Sequence, residues 1–355
     1  MRVINKIMNE LQGSHHAAII TSEVNRFYAT EFASSTGTLF ITKERAYLLV
    51  DGRYYEKAVQ TVRDCKVVLQ EDLTEQALLI FNQHAVELIS VENNTMTIGE
   101  LDCYIKKFPN TAFDYTSWLS DIIEKQRIIK TNAELKNIGI AQSITEKSYT
   151  KVLDKIAAGY TEKQIATLLT YYILENGGDD VAFPIIAASG KNTSVPHARP
   201  TNKVIQDGEF LILDFGAVYN GYRADMTRTI ALGGITDEMK RVFNAVLGAN
   251  NDALKALRPG ISGKVVDSVA RTTLEAWGYE KYFTHGLGHG VGLEVHEGPR
   301  LSKKSDSTLR EGMVVTVEPG VYIPGNFGVR IEDMAVITAD GCICLTKAPK
   351  ALIYK

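Results

Sequence analysis

Residues 208–229, GEFLILDFGAVYNGYRADMTRT, have the pattern of a β-hairpin. Two apolar runs flank Asn220-Gly221, and Asn-Gly in that position is the strongest short-range hairpin signal because both residues tolerate the positive φ of the turn. A two-residue turn there pairs Tyr219 with Tyr222 and sets the register of both strands. The register of this hairpin determines which of its side chains share a face.

Two aspartates lie on this hairpin. Counting outward from the turn pairs Asp214 with Thr227, and Asp225 lies two residues from Thr227, so it shares a face with Asp214. The two backbones are then diagonal neighbours, roughly 7–8 Å apart, within reach of one shared ion. The alternative is that one aspartate caps a strand end and the other joins a surface ion pair. Two carboxylates on one face of an apolar hairpin repel unless a cation lies between them.

A second stretch, residues 285–296, HGLGHGVGLEVH, contains three of the chain's seven histidines. Its glycines favour close backbone approach, so we do not expect a helix here. Imidazole is a common metal ligand and a common proton carrier near neutral pH. A single histidine is more often structural, but His285, His289 and His296 clustered among glycines favour a functional site.

Two glutamates follow in strand-like apolar runs, Glu318 in MVVTVEPGVY and Glu332 in GVRIEDMAV. An acidic side chain inside a β-rich core needs a partner because burying it alone is costly. Arg330 shares a face with Glu332, so a structural ion pair between them is the alternative explanation. Asp333 points the other way and is a weaker candidate.

Together these stretches provide four carboxylates and one imidazole. That number of ligands suits two divalent ions better than one, and oxygen-rich ligation favours Mn²⁺, with Zn²⁺, Co²⁺ and Fe²⁺ also compatible. Two such ions can activate a bridging water and stabilise the oxyanion formed by attack on a carbonyl. The residues therefore predict a two-metal hydrolase.

Bulk properties fit this class of protein. The chain has 355 residues, 45% of them hydrophobic, and a net charge of −3 with both signs interspersed. No basic face is implied, which argues against nucleic acid or an anionic membrane as partner. Residues 1–12 suggest an amphipathic helix without the apolar core of a signal peptide, and no long apolar run predicts a transmembrane helix. We expect a cytoplasmic protein.

The chain divides into two predicted domains. Residues 1–124 alternate strands and helices, which indicates a small α/β domain, and they include a short strand predicted at 97–99. Residues 125–355 read as an α+β domain in which strands dominate after Gly178. It begins near a helix predicted to start at Asn132, where Thr131-x-x-Glu134 has the spacing of a capping box, a signal that recurs at Thr161-x-x-Gln164.

The ordered set of motifs resembles the pita-bread metallopeptidases. It comprises an Asp, a second Asp eleven residues on, H-G-L-G-H, Glu-Pro-Gly and a Glu two residues after an Arg. The chain looks like the Xaa-Pro branch, prolidase and aminopeptidase P, over essentially its whole length. The resemblance implies a C-terminal pita-bread catalytic domain behind a smaller creatinase-like α/β N-terminal domain, and a homodimer.

The resemblance also implies a role for each site residue. By position, the metal ligands are Asp214, Asp225, His289, Glu318 and Glu332. His197, in Val-Pro-His-Ala, matches a histidine that binds and protonates substrate. His285 and His296 match histidines that line the proline-side pocket, Arg330 an arginine flanking the last ligand, and Tyr322 an aromatic near the site. The implied reaction is hydrolysis of the bond before proline, with Glu318 passing the water proton to the prolyl nitrogen.

Several alternatives remain open at this point. Methionine aminopeptidase shares the ligands but normally lacks an N-terminal domain of this size, and creatinase lacks the full metal set. A binding protein on this fold would show at least one broken ligand position. A chaperone or structural protein would leave the buried acids unexplained. The sequence does not decide between a dipeptide substrate and a longer peptide with proline at its second position.

Overall fold

The computed structural model describes residues 3–355, which form two compact units that divide between Arg127 and Ile128. Each unit has buried apolar clusters of its own. Within residues 3–355, none of the helices combines the length and the apolar character that crossing a membrane requires.

The first unit is built on a six-stranded sheet in the order β4-β3-β2-β1-β5-β6. Strands β1, β2 and β3 are antiparallel neighbours, whereas β4, β5 and β6 join in parallel. Its strands are β1 (His16–Ile20), β2 (Thr38–Ile41), β3 (Ala46–Val50), β4 (Lys66–Leu69), β5 (Leu88–Val91) and β6 (Ala112–Asp114). Its helices are α1 (Val3–Glu10), α2 (Glu23–Thr30), α3 (Gly52–Thr61), α4 (Leu73–Gln83), α5 (Ile98–Lys107) and α6 (Trp118–Arg127).

The prediction of a strand at residues 97–99 is wrong. Thr97 is the N-cap of α5, and its side chain accepts from the Glu100 backbone while the Glu100 side chain accepts from Thr97. This reciprocal capping box satisfies free N–H groups of the first helical turn, so the local hydrogen bonds favour a helix start over a strand. The helix predicted at residues 1–12 corresponds to α1, and residues 1 and 2 lie outside the described range.

The second unit combines four long helices with several small sheets. Its helices are α7 (Asn132–Leu153), α8 (Glu162–Glu175), α9 (Asp237–Ala256) and α10 (Gly263–Ala276). Its strands are β7 (Asp180–Val181), β8 (Ile186–Ser189), β9 (Glu209–Phe215), β10 (Ala217–Tyr219), β11 (Tyr222–Arg223), β12 (Met226–Leu232), β13 (Gly288–Gly290), β14 (Glu297–Leu301), β15 (Val314–Val317), β16 (Gly320–Ile323), β17 (Phe327–Arg330), β18 (Asp333–Ile337) and β19 (Cys342–Cys344). Helices α7 and α8 begin with the two predicted capping boxes.

The predicted hairpin register is confirmed. Tyr219 pairs with Tyr222, and Asp214 pairs with Thr227 on β9 and β12. Both turn residues have positive φ, 48° at Asn220 and 79° at Gly221, as the Asn-Gly turn requires. The two aspartates therefore reach the same face of the hairpin.

A second, longer hairpin carries the two glutamates. Val317 of β15 pairs with Asp333 of β18, and Gly320 of β16 pairs with Arg330 of β17. Val317 and Gly320 are three residues apart, and so are Arg330 and Asp333. The register is therefore the same before and after the interruption. Glu318 and Glu332 lie in that interruption, rather than inside the strands as the sequence suggested.

Candidate functional site

A cavity of about 530 Å³ opens in the second unit. Its walls contain every residue predicted for the site except Tyr322, which lies behind the wall with 4% of its surface exposed. The cavity is therefore where the separate motifs of the sequence converge.

Acidic groups and one histidine meet at the bottom of this cavity. Asp225, His289 and Glu332 each offer one ligand atom, and these atoms lie within 4.8 Å of one another. His289 Nε2 is 3.7 Å from Asp225 Oδ2 and 3.2 Å from Glu318 Oε1. These residues come from four separate segments of the chain, so the fold brings together the side chains that the sequence predicted as ligands.

Asp214 completes the group. Its Oδ2 is 2.5 Å from Arg330 Nη2, whereas its Oδ1 is buried without a hydrogen-bond partner among the described residues. Arg330 thus pairs with Asp214 and not with Glu332, whose Oε2 accepts from Thr227 Oγ1 at 2.7 Å. A buried carboxylate oxygen without a partner is costly, and a cation beside it would remove that cost.

The electrostatics of the cluster favour a cation. Burial, together with the neighbouring carboxylates, raises the pKa of Asp225 and of Glu332 well above their usual values. Burial also raises the pKa of Asp214, although Arg330 opposes the rise. Burial acts the same way on Glu318, but the hydrogen bond and charge of His289 outweigh it and lower the pKa of Glu318 to about 2. A divalent ion would stabilise the charged form of all four groups.

The His289 ring is oriented for ligation. Its Nδ1 is 3.1 Å from the Gly290 carbonyl, and because a carbonyl only accepts, this nitrogen carries the proton. Nε2 faces the carboxylates of Asp225 and Glu318, and a metal ion bound there would replace the proton on this nitrogen, which is the arrangement typical of metal-binding histidines. The glycine before it is required, because a Cβ at Gly288 would lie 2.1 Å from the Thr316 carbonyl oxygen.

His285 has both ring nitrogens engaged by the protein. Its Nδ1 donates to the Gly286 carbonyl at 2.8 Å. Tyr322 accepts from Arg330 Nη1 at 2.7 Å, so its hydroxyl proton is directed at His285 Nε2, 3.0 Å away. Burial lowers the pKa of His285, which agrees with a neutral ring. His285 therefore belongs to the cavity wall as a fixed, neutral surface.

The other two predicted histidines are more accessible. His296 is exposed, and its ring meets that of His289 edge to face at 4.3 Å. Burial lowers its pKa, and the charges of His289 and Arg300 lower it further. His197 is exposed on a loop whose Pro196 carbonyl accepts from Arg330. Both can approach a substrate in the cavity.

Sequence reasoning missed two arginines and the apolar part of the wall. Arg199 and Arg300 are exposed and line the cavity. The apolar lining comes from Phe183, Pro184, Ile186 and Val295. Arg300 lies only four residues after His296, so its proximity to that histidine was a signal available in the sequence.

Helix α10 holds the glycine-rich loop in place. Arg271 donates to the carbonyls of Phe283 and His285, at 2.9 and 2.5 Å, and Asp267 accepts from the Leu287 N–H at 3.0 Å. Arg271 and Asp267 also pair with each other at 2.7 Å. Both side chains were missed by sequence reasoning, because the loop groups that they bind lie outside α10.

Comparison with known proteins identifies the family of both units. Residues 3–129 match the creatinase/prolidase N-terminal domain, and residues 136–339 match metallopeptidase family M24. The Xaa-Pro dipeptidase of Pyrococcus horikoshii is 35% identical over 343 residues, which cover 96% of this chain and 95% of that protein.

Solved structures are similar over the full length. The Xaa-Pro dipeptidase from Bacillus anthracis superposes with a TM-score of 0.94 at 35% identity, covering 99% of this chain and 98% of that one. The X-Pro aminopeptidase from Thermotoga maritima gives 0.92 at 34% identity, with 99% of both chains covered. The chain therefore belongs to metallopeptidase family M24, whose members act through divalent metal ions, and it has the pita-bread fold with a creatinase/prolidase N-terminal domain.

Proposed function

We propose that this chain is a two-metal hydrolase that cleaves the peptide bond before proline in dipeptides and short peptides. The observation that carries the proposal is the cluster of four carboxylates and His289 in the wall of an open cavity. Relatives named Xaa-Pro dipeptidase and X-Pro aminopeptidase support the proline specificity.

The residues present fit divalent ions. Asp214, Asp225, His289, Glu318 and Glu332 would hold them. The features that fit best are the unpaired Asp214 oxygen and the His289 Nε2 that faces two carboxylates. Four carboxylates against one imidazole favour Mn²⁺. Divalent ions held there would supply Lewis acidity, which makes a water molecule a better nucleophile and a carbonyl a better electrophile.

The proton transfers fall to the protein's own side chains. Glu318 is partly exposed and lines the cavity, so its carboxylate can accept a proton from the attacking water. The prolyl nitrogen is a tertiary amide without an N–H, so it must be protonated before it leaves, and Glu318 can return the proton to it. His296 and His197 line the same cavity and can donate hydrogen bonds to the carbonyl oxygen as charge develops there.

The walls of the cavity suit a short substrate ending in proline. Phe183, Ile186 and Val295 provide apolar surface for the pyrrolidine ring, beside the neutral ring of His285. Arg199 and Arg300 offer guanidinium groups that can pair with a free carboxylate. A dipeptide places its carboxylate directly on the proline, within the cavity.

The test is an assay with Mn²⁺ of Ala-Pro, Ala-Pro-Ala and Met-Ala. We expect cleavage of Ala-Pro and none of Met-Ala, and the rate on Ala-Pro-Ala decides how far the substrate extends. Arg300→Ala should raise KM for Ala-Pro more than for Ala-Pro-Ala. Absence of proline-dependent cleavage with Mn²⁺, Co²⁺, Zn²⁺ or Fe²⁺ would refute the proposal.

Two further expectations from the sequence stay predictions. The homodimer is tested by light scattering on the purified protein, and the cytoplasmic location by fractionation of the cells that make it.

A further inference from the structure

A single buried amide lies behind two of the candidate ligands. Asn250, in the middle of α9, is fully buried, and its Nδ2 donates to the carbonyls of Val317 and Ile331 at 2.8 and 3.3 Å. Each carbonyl belongs to the peptide unit that ends at the Cα of the next residue, Glu318 or Glu332. Because a peptide unit is planar, holding its oxygen also restricts the position of that Cα.

The amide occupies the interruption in the long hairpin. Ladder pairing ends at Val317 opposite Asp333 and resumes at Gly320 opposite Arg330. Pro319 has no N–H to contribute in between. Buried carbonyls need donors, and the Asn250 amide supplies one to each strand at the point where the ladder is broken.

Lys350 determines which way this amide faces. Its Nζ lies 2.8 Å from Asn250 Oδ1, and it also donates to Asn251 Oδ1 at 2.8 Å and pairs with Asp333 Oδ2 at 2.9 Å. An ammonium group only donates, so the atom facing it must be the amide oxygen. The Asn250 NH₂ group is thereby directed at the two carbonyls.

We propose that Asn250, oriented by Lys350, is a positioning residue that sets the separation of Glu318 and Glu332 and through it the affinity for the divalent ions. This inference rests on the metal centre proposed above. The separation of the two aspartates is fixed by the hairpin register, because a two-residue turn joins the strands that carry them. The two glutamates lie where pairing is interrupted, so their spacing depends on groups outside the hairpin. Leu287 accepts from the Glu318 N–H and Thr227 from the Glu332 N–H, whereas Asn250 contacts both strands.

The test compares Asn250→Ala with Asn251→Ala. Asn251 also contacts Lys350, but the amide that donates to the Val317 and Ile331 carbonyls is that of Asn250, so Asn251 is the matched control. We expect Asn250→Ala to weaken binding of Mn²⁺, measured by calorimetry, by about 10- to 100-fold, as removal of groups that orient metal ligands does. The absorption spectrum of bound Co²⁺ should also change in Asn250→Ala and stay as in the wild type in Asn251→Ala.

Two further variants keep the test decisive if Asn250→Ala folds poorly. Asn250→Asp keeps the size of the side chain and its contact with Lys350 but has no donor for the carbonyls, so it should weaken binding in the same way. Lys350→Met removes the orienting charge and should produce a smaller loss.

The possible outcomes are distinct. Lowered thermal stability of the Asn250 variants with unchanged Mn²⁺ affinity and Co²⁺ spectrum would overturn the positioning role and leave only a structural one. If the wild-type protein itself bound neither ion, the proposed metal centre would fail, whatever the variants do.

Discussion

At the scale of single residues, the charge of the buried acidic cluster opposes folding of the metal-free protein. Asp225 is 4% exposed and Glu332 is 2% exposed, and the pKa of each is raised well above its usual value by burial and by the other carboxylates. A carboxyl whose pKa is higher in the folded than in the unfolded state stabilises the fold only in acid. That contribution is lost as the pH rises through the folded-state value, so the ionised group destabilises the metal-free protein near neutral pH.

Replacing one of these acids should therefore have opposite effects on stability and on metal binding. We expect Asp225→Asn to raise the free energy of unfolding of the metal-free protein at pH 7 by about 1 kcal/mol or more, since one raised pKa unit corresponds to that amount. Its metal affinity should fall at least about tenfold. Urea unfolding in the presence of a chelator and metal analysis by mass spectrometry measure the two effects.

The control for this variant is Asp252→Asn, on α9, whose side chain is 43% exposed and whose ion pair with Lys255 is superficial. It should change neither quantity measurably. Retention of two ions and the full rate in Asp225→Asn would refute the proposed ligand set.

At the scale of elements, the first hairpin depends on close contact between its two strands. A Cβ at Gly216 would lie 1.7 Å from the Ala224 carbonyl oxygen, which is backbone and cannot move away cheaply. The strands therefore approach so closely just beyond Asp214 that only glycine fits.

Two glycine-to-alanine substitutions should consequently have opposite signs. Gly216→Ala should lower the free energy of unfolding by about 2 kcal/mol or more, because the strands must separate. In Gly139→Ala, on α7, the new methyl group meets nothing within 4 Å, and the helix should gain about 0.5–1 kcal/mol. Urea denaturation of both variants measures the difference, and equal effects would contradict the contact described here.

Helix α10 supports the glycine-rich loop through a buried ion pair. Arg271→Ala would leave the Asp267 carboxylate, which is fully buried, without its cation and would release the Phe283 and His285 carbonyls. We expect a loss of about 3 kcal/mol in the free energy of unfolding, as for other broken buried pairs. Lys303→Ala, which removes an exposed partner of Glu280, should cost less than about 1 kcal/mol. If Arg271→Ala lowered the free energy of unfolding by a similarly small amount, the glycine-rich loop would not depend on Arg271 for its conformation.

The elements also show what can be predicted from sequence. The Asn220-Gly221 turn is a local signal, and it was sufficient for the register that brings Asp214 and Asp225 to one face. Thr97 was misread as part of a strand because its partner, Glu100, was not considered with it. Asn250 carries no local signal at all, since its contacts at Val317 and Ile331 lie 67 and 81 residues away.

At the scale of the whole molecule, every candidate ligand lies in the unit after Arg127. A ligand that binds only the folded state stabilises it by mass action, by about 2.7 kcal/mol at a hundred times its dissociation constant. Hydrogen exchange followed by mass spectrometry should show that Mn²⁺ slows exchange most in peptides from residues 209–232, 285–301 and 313–337. An equal slowing in peptides from residues 16–114 would mean that the ions bind elsewhere.

The long hairpin also has a practical consequence for protein engineering. Its exposed tip, residues 324–326, lies beyond β16 and β17, and the strands stay in register on both sides of the interruption. Loop length adds little to the free-energy cost of closure, and exposed loop tips tolerate insertions. A fluorophore-binding tag inserted at Gly325 would therefore leave Glu318 and Glu332 in place, so the tagged protein could be followed by its fluorescence while it keeps the candidate metal site.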